Sequence, residues 1–315
     1  MNFSLRLLAV ASILAVTIAS CSKTTTPTST ADPNAKQHNE DVSNTKSESD
    51  NVNTDVNNAL NGITGFGKNG SINTFSVCGA TIDSSNNHAP MPYIKITFDG
   101  TTVCANPSRI RSGVIMVQLV SGTHWSDMGA VLKITHTNYK VTFPSLNNHY
   151  LTFNGTKYLT NVYGFNWLSI YFGTSTATIR ERSYDMMVTF ENGQTSSWKT
   201  ARITTWGLSS SIGVYAIVNG DTTINGKTID SWGTTRYGTS FTTEMLQPWK
   251  ANSTCGWWRP TSGQYTSTTT NFSVSALFGT DANGNAQSSG CPSYFKLDWN
   301  INSGNITGNT VLSYF

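Results

Sequence analysis

Five cysteines offer the clearest chemistry in this 315-residue chain: Cys21, Cys78, Cys104, Cys255 and Cys291. In an oxidising compartment thiols pair, and an odd number asks for a separate use of one of them. With Cys21 set aside, four remain, which allow three connectivities. The pairs Cys78–Cys104 and Cys255–Cys291 are favoured, because partners lie 26 and 36 residues apart while 151 residues separate the pairs. No Cys-x-x-Cys occurs, so neither a zinc ribbon nor a thioredoxin-like site is indicated.

Other chemistries find weaker footing. A nucleophilic serine would sit in a Gly-x-Ser-x-Gly elbow, and Ser209, Ser210 and Ser211 after Gly207 miss that spacing. His38, His88, His124, His136 and His149 form neither a His-x-His nor a His-Glu-x-x-His motif, and His136 reads as a packing residue of a strand. Glycoside hydrolysis needs two carboxylates facing one cleft. Asp127, Glu181, Asp185, Glu191 and Glu244 lie in or beside strand-like runs, but spacing in a β protein does not show which acids converge. Glu181, between Arg180 and Arg182, reads as part of a solvated strand edge. Asp281-Ala282-Asn283-Gly284-Asn285 opens like a calcium loop, then fails at Ala286 and Pro292, and reads as a hairpin turn. No metal or cofactor is expected. Nine Trp and twelve Tyr are the most suggestive feature, since flat rings stack on sugars and partners at low entropy cost. Adjacent Trp257 and Trp258 would point to opposite faces of a strand, one inward and one exposed, and are the candidate ligand-binding pair.

The elements that carry these residues begin with an address. Arg6 and the apolar run Leu7 to Ile18 have the form of a secretory signal, the run being too short to span a bilayer. It leads into Ile18-Ala19-Ser20-Cys21, which resembles the lipobox of bacterial lipoproteins. The resemblance implies removal of residues 1–20 and acylation of Cys21, with more than one chain giving stable anchoring. Residues 21–62 then read as a disordered polar tether, rich in Ser, Thr and Asn. Residues 22–62 carry three Lys and six acids. A chain of about 40 such residues has an r.m.s. reach of ~35 Å.

Residues 63–315 follow a period of two. Tyr93 to Phe98, Val131 to Thr135 and Tyr139 to Phe143 alternate, and Val114 to Val120 is a more continuous run expected of a strand covered on both faces. Asn/Asp-Gly steps punctuate them. Tyr150 to Thr160 around Asn154-Gly155 reads as a hairpin, as does Asp185 to Trp198 around Asn192-Gly193. Phe272 to Phe278 and Tyr294 to Ile301 flank a loop with Cys291. No stretch of ten residues has clear helical periodicity. The expectation is a single all-β domain, an antiparallel meander of roughly fifteen strands, curled or in two layers. The alternation Phe315, Ser313, Val311, Asn309 is too polar for a lipid-facing barrel strand.

Lipobox, polar linker, Cys78-Gly79-Ala80-Thr81-Ile82-Asp83, Cys104, Arg111-Ser112-Gly113, then Cys255 with Pro260-Thr261-Ser262-Gly263, Phe278-Gly279 and Cys291 form a familiar order. It is similar to a group of uncharacterised all-β outer-membrane lipoproteins of Bacteroidota. That resemblance implies an outer-membrane lipoprotein, agrees with the cysteine pairing and carries over no catalytic residue. A formal charge of +3 is too near neutral for a nucleic-acid partner. The expected role is a membrane-anchored binding or structural module for a glycan or another envelope protein, on either membrane face. The alternative is a carbohydrate-active hydrolase using a carboxylate pair.

Overall fold

A computed structural model describes residues 33–61 and 76–314, apart from 106–107, 145–146, 165–169, 171, 174, 257–258 and 302–305. Among the described residues the named elements are one helix, α1 (Pro33–Asn61), and fifteen strands. These are β1 (Ala80–Asp83), β2 (Tyr93–Cys104), β3 (Arg109–Ser121), β4 (Val131–Phe143), β5 (His149–Asn161), β6 (Ala177–Phe190), β7 (Thr195–Ser209), β8 (Gly213–Gly220), β9 (Thr222–Ile224), β10 (Lys227–Thr234), β11 (Ser240–Asn252), β12 (Ser262–Thr269), β13 (Phe272–Thr280), β14 (Tyr294–Ile301) and β15 (Ile306–Ser313). All pair antiparallel in one sheet, as the alternating pattern predicts.

The meander has one irregularity. Trp198 to Thr200 of β7 pair with β10, while Arg202 to Ser209 pair with β8. On β11, Phe241 to Glu244 face β10 and Trp249 to Asn252 face β8. The strands β8 and β10 thus share one position between β7 and β11. They behave as one strand interrupted by the β9 excursion, which turns at Asn225-Gly226 with both φ positive.

Curvature comes from a row of bulges. Register shifts cross β2 at Asp99–Val103, β3 at Ser112–Val114, β4 at His136–Tyr139, β5 at Asn154–Lys157 and β6 at Ser183–Met186. Each bulge bends its strand, and neighbouring ones make a crease across the sheet. Gly113 and Gly155 sit on this crease at φ 93° and 122°, and a Cβ there would lie 2.1 Å from the Asn138 carbonyl oxygen and 2.5 Å from that of Asp185. Asn154-Gly155 is therefore not the hairpin turn its dipeptide suggests. It is a bulge inside β5, which pairs along its length with β4 and β6. Val131 to Thr135 and Tyr139 to Phe143 join through Asn138 (φ 47°) into one long β4. The expected turn at Asn192-Gly193 lies between β6 and β7, and Asp281 to Asn285 forms a tight turn closed by backbone hydrogen bonds.

The largest departure is the helix. Residues 33–61, read as part of a disordered tether, form 29 residues of α-helix laid across the inner face of the sheet. The folded unit therefore includes Pro33–Asn61 and does not start at residue 63. Eight of its residues are Asn, a poor helix former, so packing rather than propensity must hold it. Its burial is helical: Ala35, His38, Val42, Thr45, Val52, Val56 and Ala59 are buried, while Lys36, Glu40, Ser43, Ser47, Thr54 and Asn58 face out. From its N-terminus the helix meets β13, then β12 and β11, and its C-terminal part reaches β3. Val42, Val52, Val56 and Leu60 join one core with Ile94, Ile96, Ile115, Val117, Leu132, Ile134, Leu151 and Leu159 of β2 to β5. The outward side chains of the apolar run on β3 are less covered than expected: Val114, Met116 and Gln118 are half-buried and Val120 is exposed.

Cys78–Cys104 and Cys255–Cys291 stand at disulfide distance, with sulfurs 2.18 and 2.05 Å apart. The first ties the approach to β1 to the end of β2, and the second ties the β11–β12 connection to the β13–β14 loop. Replacing Cys255 and Cys291 together by Ala frees a 36-residue loop in the unfolded chain. Chemical denaturation should show a loss of about 4 kcal/mol by the loop-entropy relation.

Candidate functional site

The chemistry of the molecule is concentrated where α1 meets the sheet. The inner face of the sheet carries Arg109 and Arg111 on β3, Lys157 on β5, Glu181 on β6, Arg202 on β7, Asp230 on β10, and Arg236 in the β10–β11 turn, all buried. These sum to +3, from five cations and two acids. The helix brings Asp41, Glu48, Asp50 and Asp55 against Lys46, a sum of −3. Charge on one surface is matched by charge on the other.

Individual pairs run the length of the helix. Arg236 donates from Nε and Nη2 to the two oxygens of Asp41, at 2.7 and 2.6 Å, and lies over the Phe190 ring. Lys46 Nζ donates to Asp230 at 2.6 Å, above the Tyr265 ring. Tyr139 OH donates to Glu48 Oε1. Lys157 Nζ donates to both the carbonyl and the hydroxyl of Ser49, each at 2.9 Å. Arg111 pairs with Asp55 and donates to the Cys78 carbonyl at 2.8 Å, which couples the helix to the first disulfide.

The centre is Arg202. Its guanidinium donates to Asp50 of the helix at 2.7 Å and to Glu181 of β6 at 3.1 Å. Glu181 also accepts from Asn53 at 2.7 Å and Ser49 at 3.1 Å. It is buried, not part of a solvated strand edge. Arg180 and Arg182, its neighbours in sequence, point to the other face and pair with Asp221. Burial opposes ionisation of Glu181, but Arg202 and Lys157 outweigh it and hold the carboxyl at about 2. Burial lowers the pKa of Lys157, as it does that of Lys46. His136 is pushed down to about 3 by burial and by Lys157, so it stays neutral, in keeping with a packing role.

Beneath the helix a cavity of about 20 Å³ is lined by Glu48, Lys157, Glu181, His136, Tyr139 and Trp198, among others. Two acids and several rings share it, the composition a carboxylate-pair hydrolase requires. Its volume admits a single water, whereas pockets for small ligands measure about 300–1,000 Å³.

The remaining sequence candidates fall elsewhere. Asp127 caps its own turn through the Thr123 and His124 amides, Asp185 accepts from the Thr156 amide, Glu191 meets His149 and Arg236, and Glu244 pairs with Lys227. Cys21, Trp257 and Trp258 lie outside the described residues. Among the described tryptophans, Trp125 and Trp198 are buried, and Trp206, Trp232, Trp249 and Trp299 are half-buried. No group of His, Cys, Asp and Glu among the described residues is arranged to hold a metal ion.

The helix acids were missed because their segment was read by composition. A positional signal exists: Ala35, His38, Val42, Thr45, Ser49, Val52, Val56 and Ala59 recur at alternating steps of three and four. Five of those eight positions are polar or merely small, so the stripe is faint on a hydropathy reading.

Two outcomes follow from the buried charges. Arg202→Met strands Glu181 and Asp50 and should cost about 3–5 kcal/mol at neutral pH, measured by urea denaturation. His38 lies between Phe241 and Phe272 with Nε2 2.8 Å from Ser267 Oγ, and burial, aided by Lys46, lowers its pKa to about 4. Below pH 6.5 the unfolded chain gains a proton that the folded state refuses until about pH 4, so this group removes stability across that window. His38→Gln should lose less stability than the wild type as pH falls from 6.5 to 4, by about 3 kcal/mol.

No protein-family model, curated protein or solved structure matches the chain.

Proposed function

We propose that the protein is a bacterial outer-membrane lipoprotein, acylated at Cys21, whose body is a non-enzymatic binding or structural module of the cell surface or envelope. The observation that carries the non-enzymatic reading is that the concave face of the sheet grips the chain's own helix. The acids placed there, Asp41, Glu48, Asp50, Asp55, Glu181 and Asp230, hold partners on the opposite element. The cavity left between them is too small for a sugar ring. Recognition then falls to the outer face and the loops, with a glycan or another envelope protein as partner.

The helix also shortens the link to the lipid. With Pro33 the first residue of the helix, eleven residues, 22–32, separate it from Cys21. They span at most about 40 Å fully extended, against about 140 Å for a leash running to residue 62. The body is held close to its membrane.

Cys21→Ala should abolish incorporation of radiolabelled palmitate and release the protein from the membrane fraction, with the far-UV spectrum unchanged. The full chain, screened on glycans and cell-wall polymers, should bind without turnover. Hydrolysis that disappears in a folded Glu181→Gln variant would establish the carboxylate-pair reading instead.

A further inference from the structure

The two ends of the sheet are unlike. The strand β1 has four residues, carries Asp83 and is tied down by the Cys78–Cys104 bridge just before it. The other end, β15, has eight residues, Ile306-Thr-Gly-Asn-Thr-Val-Leu-Ser313, with no charge and no proline. It pairs with β14 in unbroken register over all eight positions, without a bulge. Among the described residues β14 is its sole strand partner. Sheet edges are normally blunted by charge, proline, bulges or shortness, and β15 has none of these.

Ladder geometry tells which backbone groups point outward. The Tyr314 amide donates to the Ser293 carbonyl at 2.9 Å, so Ser293 and Tyr314 are a hydrogen-bonded pair. Such pairs alternate along an antiparallel ladder, so Leu312, Thr310 and Gly308 turn their backbone groups toward β14. Asn309, Val311 and Ser313 then turn theirs away from it. The strand is held in place: the Tyr314 hydroxyl accepts from the Gly279 amide and donates to the Pro260 carbonyl, and its ring stacks on Phe295.

We infer that β15 is a docking edge for a second copy of this chain, paired antiparallel across a two-fold axis through Thr310. Residues 307–313 of each copy then stand opposite one another, seven against seven. The alternative, β15 on β1, would match eight against four and run on as an open chain of copies instead of closing. In the two-fold register Asn309 faces Val311 of the second copy, Thr310 faces its own counterpart, and Gly308 faces Leu312. No like charges meet. The nearest charges, Lys296 and Asp298 on β14, neutralise each other at 2.8 Å. The edge is small, which places the contact among weak, concentration-dependent interfaces.

The test uses the full chain in detergent. Thr310 faces Thr310 at a non-hydrogen-bonded site, where Cα atoms approach to about 4.5 Å, within disulfide range. Thr310→Cys should give a reducible covalent dimer under mild oxidation, and Ile306→Cys, far from its counterpart in this register, should not. Val311→Pro removes an outward amide and spares the β14 ladder. It should weaken dimerisation at least tenfold in light-scattering measurements, with the thermal midpoint retained. A wild type that stays monomeric at millimolar concentration, a dimer indifferent to Val311→Pro in a folded variant, or Ile306→Cys linking as fast as Thr310→Cys would overturn the assignment.

Discussion

A charge moved out of water costs several kcal/mol unless an opposite charge and its hydrogen bonds move with it. The junction of α1 and the sheet rests on that condition. Arg202 is buried between Asp50 and Glu181, and Lys157 lies close enough to help keep Glu181 ionised. Neither surface is stable as an interior by itself. The helix alone is an Asn-rich segment with little propensity to form, and the sheet alone would bury five cations against two acids. Brought together they balance one another in charge, and a polar helix occupies a place that apolar packing would ordinarily demand.

Curvature makes that meeting possible. The crease of bulges across β2 to β6 bends the sheet, and glycines stand where neighbouring backbone comes within about 2–3 Å of a would-be Cβ. Rigid backbone contacts there leave little room for adjustment. The buried aliphatic residues of β2 to β5 supply the non-directional part of the adhesion, and Val42, Val52, Val56 and Leu60 reach into it from the helix. The ion pairs supply register, because a shift by one residue would separate Asp41 from Arg236, Asp50 from Arg202 and Asp55 from Arg111 together. Specificity of this kind is a recognised use of buried charge, alongside whatever stability it adds.

The same arrangement bears on function. Filling the concave face with the chain's own helix leaves the outer face, the loops and the sheet edges for encounters with other molecules. It also places the first helical turn within a dozen residues of Cys21, so the proposed lipid anchor and the folded body are coupled through α1.

Much of this architecture is written locally. Alternation of side chains specifies strands because one face is wet and the other dry, and that holds whatever the neighbours are, so the all-β meander and the pairs Cys78–Cys104 and Cys255–Cys291 are legible in the chain itself. Asn154-Gly155 is ambiguous for a physical reason. The dipeptide specifies a positive φ, which both a tight turn and a bulge require, and only the strands on either side of β5 decide between them. Glu181 and the helix acids are undecidable from sequence for a deeper one. A carboxylate reads as surface until its cation is known, and Arg202, Arg236 and Arg111 lie 152, 195 and 56 residues from Asp50, Asp41 and Asp55. Local chemistry determined the strands and the cysteine pairs. Long-range neutralisation of charge, which exists only in the folded molecule, decided that a polar segment becomes the helix at its centre.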